Sequence, residues 1–109
     1  MASELLKVAL KATLTDSEHV LINGVNGHTY TILSIIFCET AGAAETFDLF
    51  IDDGGAGTDY EIYSDQALAA NATFEHTSKF VIEDTDHLCM ATASSAVVDV
   101  VVSYLDQTR

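Results

Sequence analysis

Two stretches between Tyr30 and Asp52 alternate apolar and polar residues on either side of a small-residue turn, the mark of β-strands. In the first, Tyr30, Ile32 and Ile36 fall on one side of a pleated ribbon and Leu33, Ile35 and Phe37 on the other. Both faces are largely apolar, so this strand is expected to sit centrally in a sheet. In the second, Phe47, Leu49 and Ile51 point one way, and Thr46, Asp48 and Asp52, with Phe50 among them, point the other. That is the half-buried pattern of an antiparallel sheet. Ala41 to Glu45 joins the two runs, and the whole segment predicts a β-hairpin.

The same period of two runs through the remainder of the chain. Leu6, Val8, Leu10, Ala12 and Leu14 recur at every second position with Lys7, Lys11 and Thr13 between them, which predicts a first strand. Leu5 to Leu10 also suits a short amphipathic helix, and residues 1–11 suit an N-terminal arm. Thr15-Asp16-Ser17 marks a turn, a brief strand is expected from His19 to Ile22, and Asn23-Gly24 and Asn26-Gly27 both suit tight hairpin turns into a strand at Thr29. Further strands are expected near Tyr60 to Ser64, over Thr73 to His76, Lys79 to Glu83 and His87 to Ala93, with turns at Asp84-Thr85-Asp86 and Ser94-Ser95. The last and most β-prone strand covers Ala96 to Leu105. In it Val98, Val100, Val102 and Tyr104 share one face, and Val97, Asp99, Val101, Ser103 and Leu105 the other. The expected fold is all-β: an antiparallel two-layer sandwich or jelly roll of eight or nine strands, one domain over residues 1–109. Proline is absent, so the sheet edges must be protected by short strands, by charges such as Glu61 and Glu75, or by a partner subunit. That last option points to a homo-oligomer.

Composition narrows the function classes. Among 109 residues, 49% hydrophobic content supplies a core, and the apolar runs Ala96-Val97-Val98 and Val100-Val101-Val102 are far too short to span a bilayer. A soluble chain without a secretory signal is expected, because Glu4, Lys7 and Lys11 break up the N-terminal apolar residues. The formal charge of -13 opposes binding to nucleic acid, and Lys7, Lys11, Lys79 and Arg109 form no basic patch. Cys38 and Cys89 match neither a zinc nor a redox motif; two reduced core cysteines are favoured over one bridge.

Candidate chemistry is sparse. Asp52-Asp53-Gly54-Gly55-Ala56-Gly57-Thr58-Asp59 is an acidic glycine-rich loop, and Asp52, Asp53, Asp59 and Glu61 offer hard oxygen ligands of the kind calcium uses. Their spacing is not that of an EF-hand, and a solvated hairpin loop is the simpler reading. Tyr60 and Tyr63 beside these acids would suit a sugar, against the commoner role of tyrosine in packing. His87 and Cys89 share a strand face without a second ligand pair, so no metal or other cofactor is assigned. Asn71-Ala72-Thr73 is a formal glycosylation sequon expected by chance. No nucleophile elbow, phosphate loop or dinucleotide fingerprint occurs, and an enzyme is not expected.

From His28 to Leu105 the order of elements resembles small β-sandwich virion proteins of tailed bacteriophages. The likeness rests on a strand like Thr29 to Glu39, a small-residue turn like Ala41 to Ala44, a strand like Thr46 to Ile51, a small-residue stretch like Ala69 to Thr73, and a valine-rich strand like Val97 to Tyr104. The resemblance implies a capsid decoration (cement) protein, made in the host cytoplasm and carried on the virion surface. Such a protein binds the major capsid protein at symmetry axes, often as a trimer, and tightens contacts between capsomers. The alternative it implies is a small carbohydrate- or calcium-binding module of a tail or fibre. Leu5, Leu6, Val8 and Leu10 are the partner-binding candidates, able to pair with a shell subunit or a neighbouring protomer, or to join the domain's own first strand.

Overall fold

In the computed structural model, which describes residues 3–54, 57–94 and 97–109, strands dominate. They are β1 (Ser3–Leu14), β2 (His19–Asn23), β3 (His28–Glu39), β4 (Glu45–Asp52), β5 (Asp59–Leu68), β6 (Thr73–His76), β7 (Phe80–Glu83), β8 (His87–Thr92) and β9 (Val98–Thr108). Met1 and Ala2 of the arm, Gly55 and Ala56 of the acidic loop, and Ser95 and Ala96 at the last turn lie outside the described residues. The expected first strand is present, and the helical alternative over Leu5 to Leu10 is not taken, because β1 pairs with β9 from Ser3↔Thr108 to Leu14↔Val98.

A 5-stranded sheet runs β1-β9-β3-β6, with β7 also on β3, and a 4-stranded sheet runs β2-β8-β4-β5. Every pairing is antiparallel. β1 with β9, β2 with β8, β3 with β6 and β7, and β4 with β5 nest inside one another like the rungs of a single long hairpin. Rolling that hairpin brings β9 against β3 and β8 against β4. This is a jelly roll.

The nesting corrects one expectation. The strands at Tyr30 and Phe47 exist, but they do not form a hairpin: β3 lies in the larger sheet and β4 in the smaller, so Thr40 to Ala44 arches between layers. Alternation identifies a strand without choosing its partner. The Asn-Gly turns are corrected in the same way. β2 and β3 belong to different sheets, and Asn26-Gly27 instead closes a turn in which the His28 N–H donates to the Val25 carbonyl at 3.1 Å, with Gly27 at φ +88.

The apolar look of both faces of β3 has a local cause. Its register against β9 shifts between Ile32 and Ser34, so Tyr30 and Ile32 face inward before Leu33, and Ile35 and Phe37 face inward after it. The core lies between the sheets. Phe37 of β3 stacks on Phe47 of β4 with centroids 4.4 Å apart, and Phe74 meets Phe47 edge-on at 5.7 Å. Leu49, Leu88, Met90, Val98, Val100 and Val102 complete it.

One buried carboxylate holds the arch. Glu39 accepts N–H bonds from Ala41 (3.0 Å), Gly42 (2.8 Å), Ala43 (3.1 Å), Asn71 (3.2 Å) and Val97 (3.4 Å). Burial alone would raise its pKa; the N–H groups of Asn71, Ala41, Gly42 and Ala43 outweigh that and hold it below the usual carboxylate range.

Candidate functional site

β1 is a long strand at the edge of the larger sheet, bonded along one side to β9 and, among the described residues, to no strand along the other. Leu6, Val8 and Leu10 stand outward from it, 75%, 54% and 70% exposed. Cross-strand register extends them into rows on the outer face of the sheet. Leu6 lies opposite Leu105, which lies opposite Thr31, which lies opposite Val81. Leu10 lies opposite Val101 and then Ile36. Polar residues separate these rows as well as frame them, since Val8, between Leu6 and Leu10, lies opposite Ser103 and then Ser34. Glu4, which accepts from Gln107 Nε2 at 3.0 Å, and Glu83 stand at one end, and Asp99 stands at the other. An exposed apolar face with a polar rim is the usual form of a protein-binding surface.

Near Leu14 the strand bends. Thr13 takes φ +62 and its N–H donates to Asp99 Oδ1 at 2.9 Å, and the register jumps between Lys11 and Leu14 so that Leu14 turns into the core. A shallow depression of about 220 Å³ forms beside this bulge, lined by Leu10, Lys11, Ala12, Asp99, Val100 and Val101. The other end of β1 is tied down from the inner side. Buried Asp106 accepts from Lys7 Nζ at 2.8 Å through one oxygen and pairs with His28 Nδ1 at 2.7 Å through the other. Burial opposes the charge on Asp106, but Lys7 and His28 prevail and hold its pKa below the ordinary value. The triad links β1, β9 and β3. Sequence reading missed it because Lys7 and Asp106 meet across 99 positions through the β1–β9 pairing, and His28 joins only when the hairpin rolls β3 against β9.

Asp52 faces Asp59 across β4 and β5, and Glu61 lies opposite Phe50. Asp53 spends backbone groups inside the acidic loop, its N–H donating to Thr58 O at 2.8 Å and its carbonyl accepting from Gly57 N–H at 2.7 Å. Burial, then the charges of Asp48, Asp59 and Asp65, push the Glu61 carboxyl above its usual range. Among the described residues no group of three or more His, Cys, Asp or Glu converges as a metal centre would require. The tyrosines part company. Tyr60 is 57% exposed, whereas Tyr63 turns inward, hydrogen-bonded to His76 Nδ1 at 2.8 Å and edge-on to Phe74. The histidines are separately engaged: His19 Nε2 accepts from the Thr15 N–H at 3.0 Å and His87 Nδ1 from the Gly24 N–H at 3.0 Å. Cys38 and Cys89 are both free, and burial pushes the Cys89 thiol up to about 12.

No protein-family model and no curated protein matches the chain. Solved structures share its fold. A chain from Bacillus endospore appendages, a family of disulfide-linked pili, aligns with TM-score 0.60 and 12% identity over 99% of this chain and 90% of its own. A chain of infectious bursal disease virus, Gx strain, aligns with TM-score 0.53 and 13% identity over 100% of this chain. A mutant VP2 protein of that virus, from derived T=1 particles, gives TM-score 0.50 and 10% identity. The chain spans 32% and 36% of the length of those two viral chains. These three are virus and pilus chains, and at such identity the likeness is one of fold.

Proposed function

We propose that this chain is a structural subunit of a virus particle, a cement protein that docks on the outer surface of a phage head and bridges neighbouring capsomers. The observation that carries the reading is the apolar outer face of the larger sheet, Leu6, Val8, Leu10, Val101, Leu105 and Val81, on a body whose charge is otherwise strongly negative. Its partner is the major capsid protein. The fold shared with virion and pilus chains supports an assembly role, and the acidic exterior keeps the subunit off the packaged nucleic acid. The resemblance implies a trimer at a symmetry axis. Many weakly held copies then act together by avidity.

Because β1 is paired with β9 along its length, deleting residues 1–11 would strip the sheet as well as the docking face. Point changes separate the two. Leu6→Lys with Leu105→Lys should abolish co-sedimentation with expanded heads of the encoding virus while the far-ultraviolet circular dichroism and melting temperature stay close to the parent's. Undiminished co-sedimentation of a folded double variant would remove this face from the account.

A second reading rests on Tyr60, an exposed ring between Asp59 and Glu61, as the contact of a sugar- or calcium-binding module in a tail or fibre. It requires that Tyr60→Ala eliminate a signal on a glycan array, or that chelator lower the melting temperature through ligand linkage. With neither effect the module reading is dropped.

A further inference from the structure

The jelly roll leaves four sheet edges, and three of them are blunted. β6 and β7, of 4 residues each, divide one edge of the larger sheet and carry Glu75 and Glu83. β2 has 5 residues and a register shift between Val20 and Ile22. β5 presents Asp59, Glu61 and Asp65, and Asp65 sits in a bulge at φ +53 with its N–H drawn to Asp48 Oδ1 at 2.7 Å. Short strands, bulges and charges are the ordinary defences of an open edge. β1 is neither short nor bulged between Ser3 and Lys11, and of its charges Glu4, Lys7 and Lys11 there, Lys7 is spent within the chain on Asp106. Its pairing with β9 is regular there, and Leu5, Leu6, Val8 and Leu10 are all exposed.

Charge points to the occupant. The chain carries -13, yet with Lys7 neutralised by Asp106 the remaining charges of β1, Glu4 and Lys11, balance, whereas β5, β6 and β7 hold acids and no Lys or Arg. Two copies that approach through β5, β6 or β7 set acid against acid; through β1 they do not. The side chains then fix a register. In an antiparallel pair related by a two-fold axis normal to the sheet, residues opposite one another share a face. With Val8 on the axis, Val8 meets its own copy and Leu6 meets the copy's Leu10 on the outer face. On the inner face Lys7 meets Ala9, and Leu5 meets Lys11 along its aliphatic stem. A two-residue slip toward the N-terminus that keeps the faces matched sets Lys7 against Lys7 and Glu4 against Leu10, which is unfavourable.

We propose that β1 pairs with β1 of a second copy of this chain, antiparallel about Val8, fusing the two larger sheets into one continuous sheet. The edge N–H and C=O groups are then satisfied, and the apolar outer face becomes continuous across both copies. The assembly has two copies, not the three implied by resemblance. The inference does not rest on the cement reading, since self-pairing and shell binding are measured separately.

Native mass spectrometry and sedimentation equilibrium of the full chain over a dilution series test it. A species of twice the chain mass is expected, and Val8→Lys, which sets a charge against its own copy, should leave only a monomer that still unfolds in one cooperative transition, with a melting temperature that no longer depends on concentration. Val8→Cys should form an intermolecular disulfide on mild oxidation, whereas Val81→Cys, equally exposed but on the far edge, should not. A wild-type monomer, a trimer, or a dimer that survives Val8→Lys would overturn the proposal.

Discussion

Phe47→Ala is the substitution that most directly tests how the layers are sealed. The ring is buried, stacks on Phe37 of the opposite sheet at 4.4 Å between centroids, and meets Phe74 and Tyr63 edge-on at 5.7 and 6.3 Å. Truncating a buried phenylalanine to alanine costs about 3–5 kcal/mol in transfer and cavity terms. A chain of 109 residues that unfolds cooperatively has an unfolding entropy of roughly 0.23 kcal/mol/K, from about 2.1 cal/mol/K per residue. The melting temperature should therefore fall by roughly 13–22 °C. Urea unfolding followed by circular dichroism gives the free energy, and Tyr60→Ala, at an exposed site, should stay within about 0.5 kcal/mol of the parent. A double-mutant cycle of Phe37→Leu and Phe47→Leu should show a coupling of about 0.5–1.5 kcal/mol. A loss below about 1 kcal/mol for Phe47→Ala, or no coupling, would refute the inter-sheet stack as the seal of the sandwich.

Glu39 and Asp106 both have pKa values lowered by folding, so their contribution is present above the unfolded carboxylate range of about 4 and is lost as pH falls through the folded values. Melting curves from neutral to acid pH should show a drop beginning near pH 4 that is shallower in Glu39→Gln, which should also melt lower at neutral pH; an unchanged acid limb would count against this origin. Gly24→Ala should prevent normal folding, because its Cβ would lie 1.9 Å from the Asp86 carbonyl oxygen and 2.4 Å from that of Asp84, whereas Gly27→Ala has open space and should cost about 1–2 kcal/mol for its positive φ. Comparable melting temperatures for these two variants would contradict the packing at the β7–β8 turn. Alkylation at neutral pH should label half-buried Cys38 well before Cys89, whose thiol is buried and titrates at about 12; equal labelling rates would mean that β8 opens readily.

Strand positions were largely legible in the sequence, and strand partners were not. Val98, Val100 and Val102 alternate cleanly because β9 lies between two strands with one face on the core. The run from Tyr30 to Phe37 also predicts its strand and its central place, yet the bulge at Leu33 changes which residues face inward, and no residue there advertises it. The supposed hairpin failed because Ala41 to Ala44 looks like a tight turn, whereas it is an arch whose N–H groups converge on Glu39. A signal was present: an acid closing a strand just before small residues with free N–H groups. The candidate apolar residues of β1 were visible as a stripe, but the rows they form with Leu105, Val101 and Val81 depend on pairing between residues far apart in sequence.

The central claim is that the chain is a stoichiometric part of a particle's outer surface. Quantitative mass spectrometry of gradient-purified particles of the encoding virus, before and after brief surface proteolysis, tests it most directly. The account predicts peptides of this chain at a fixed ratio to the major capsid protein, and their loss on proteolysis while the shell protein persists. Absence of the chain from particles, with recovery only in the unassembled fraction, would contradict it.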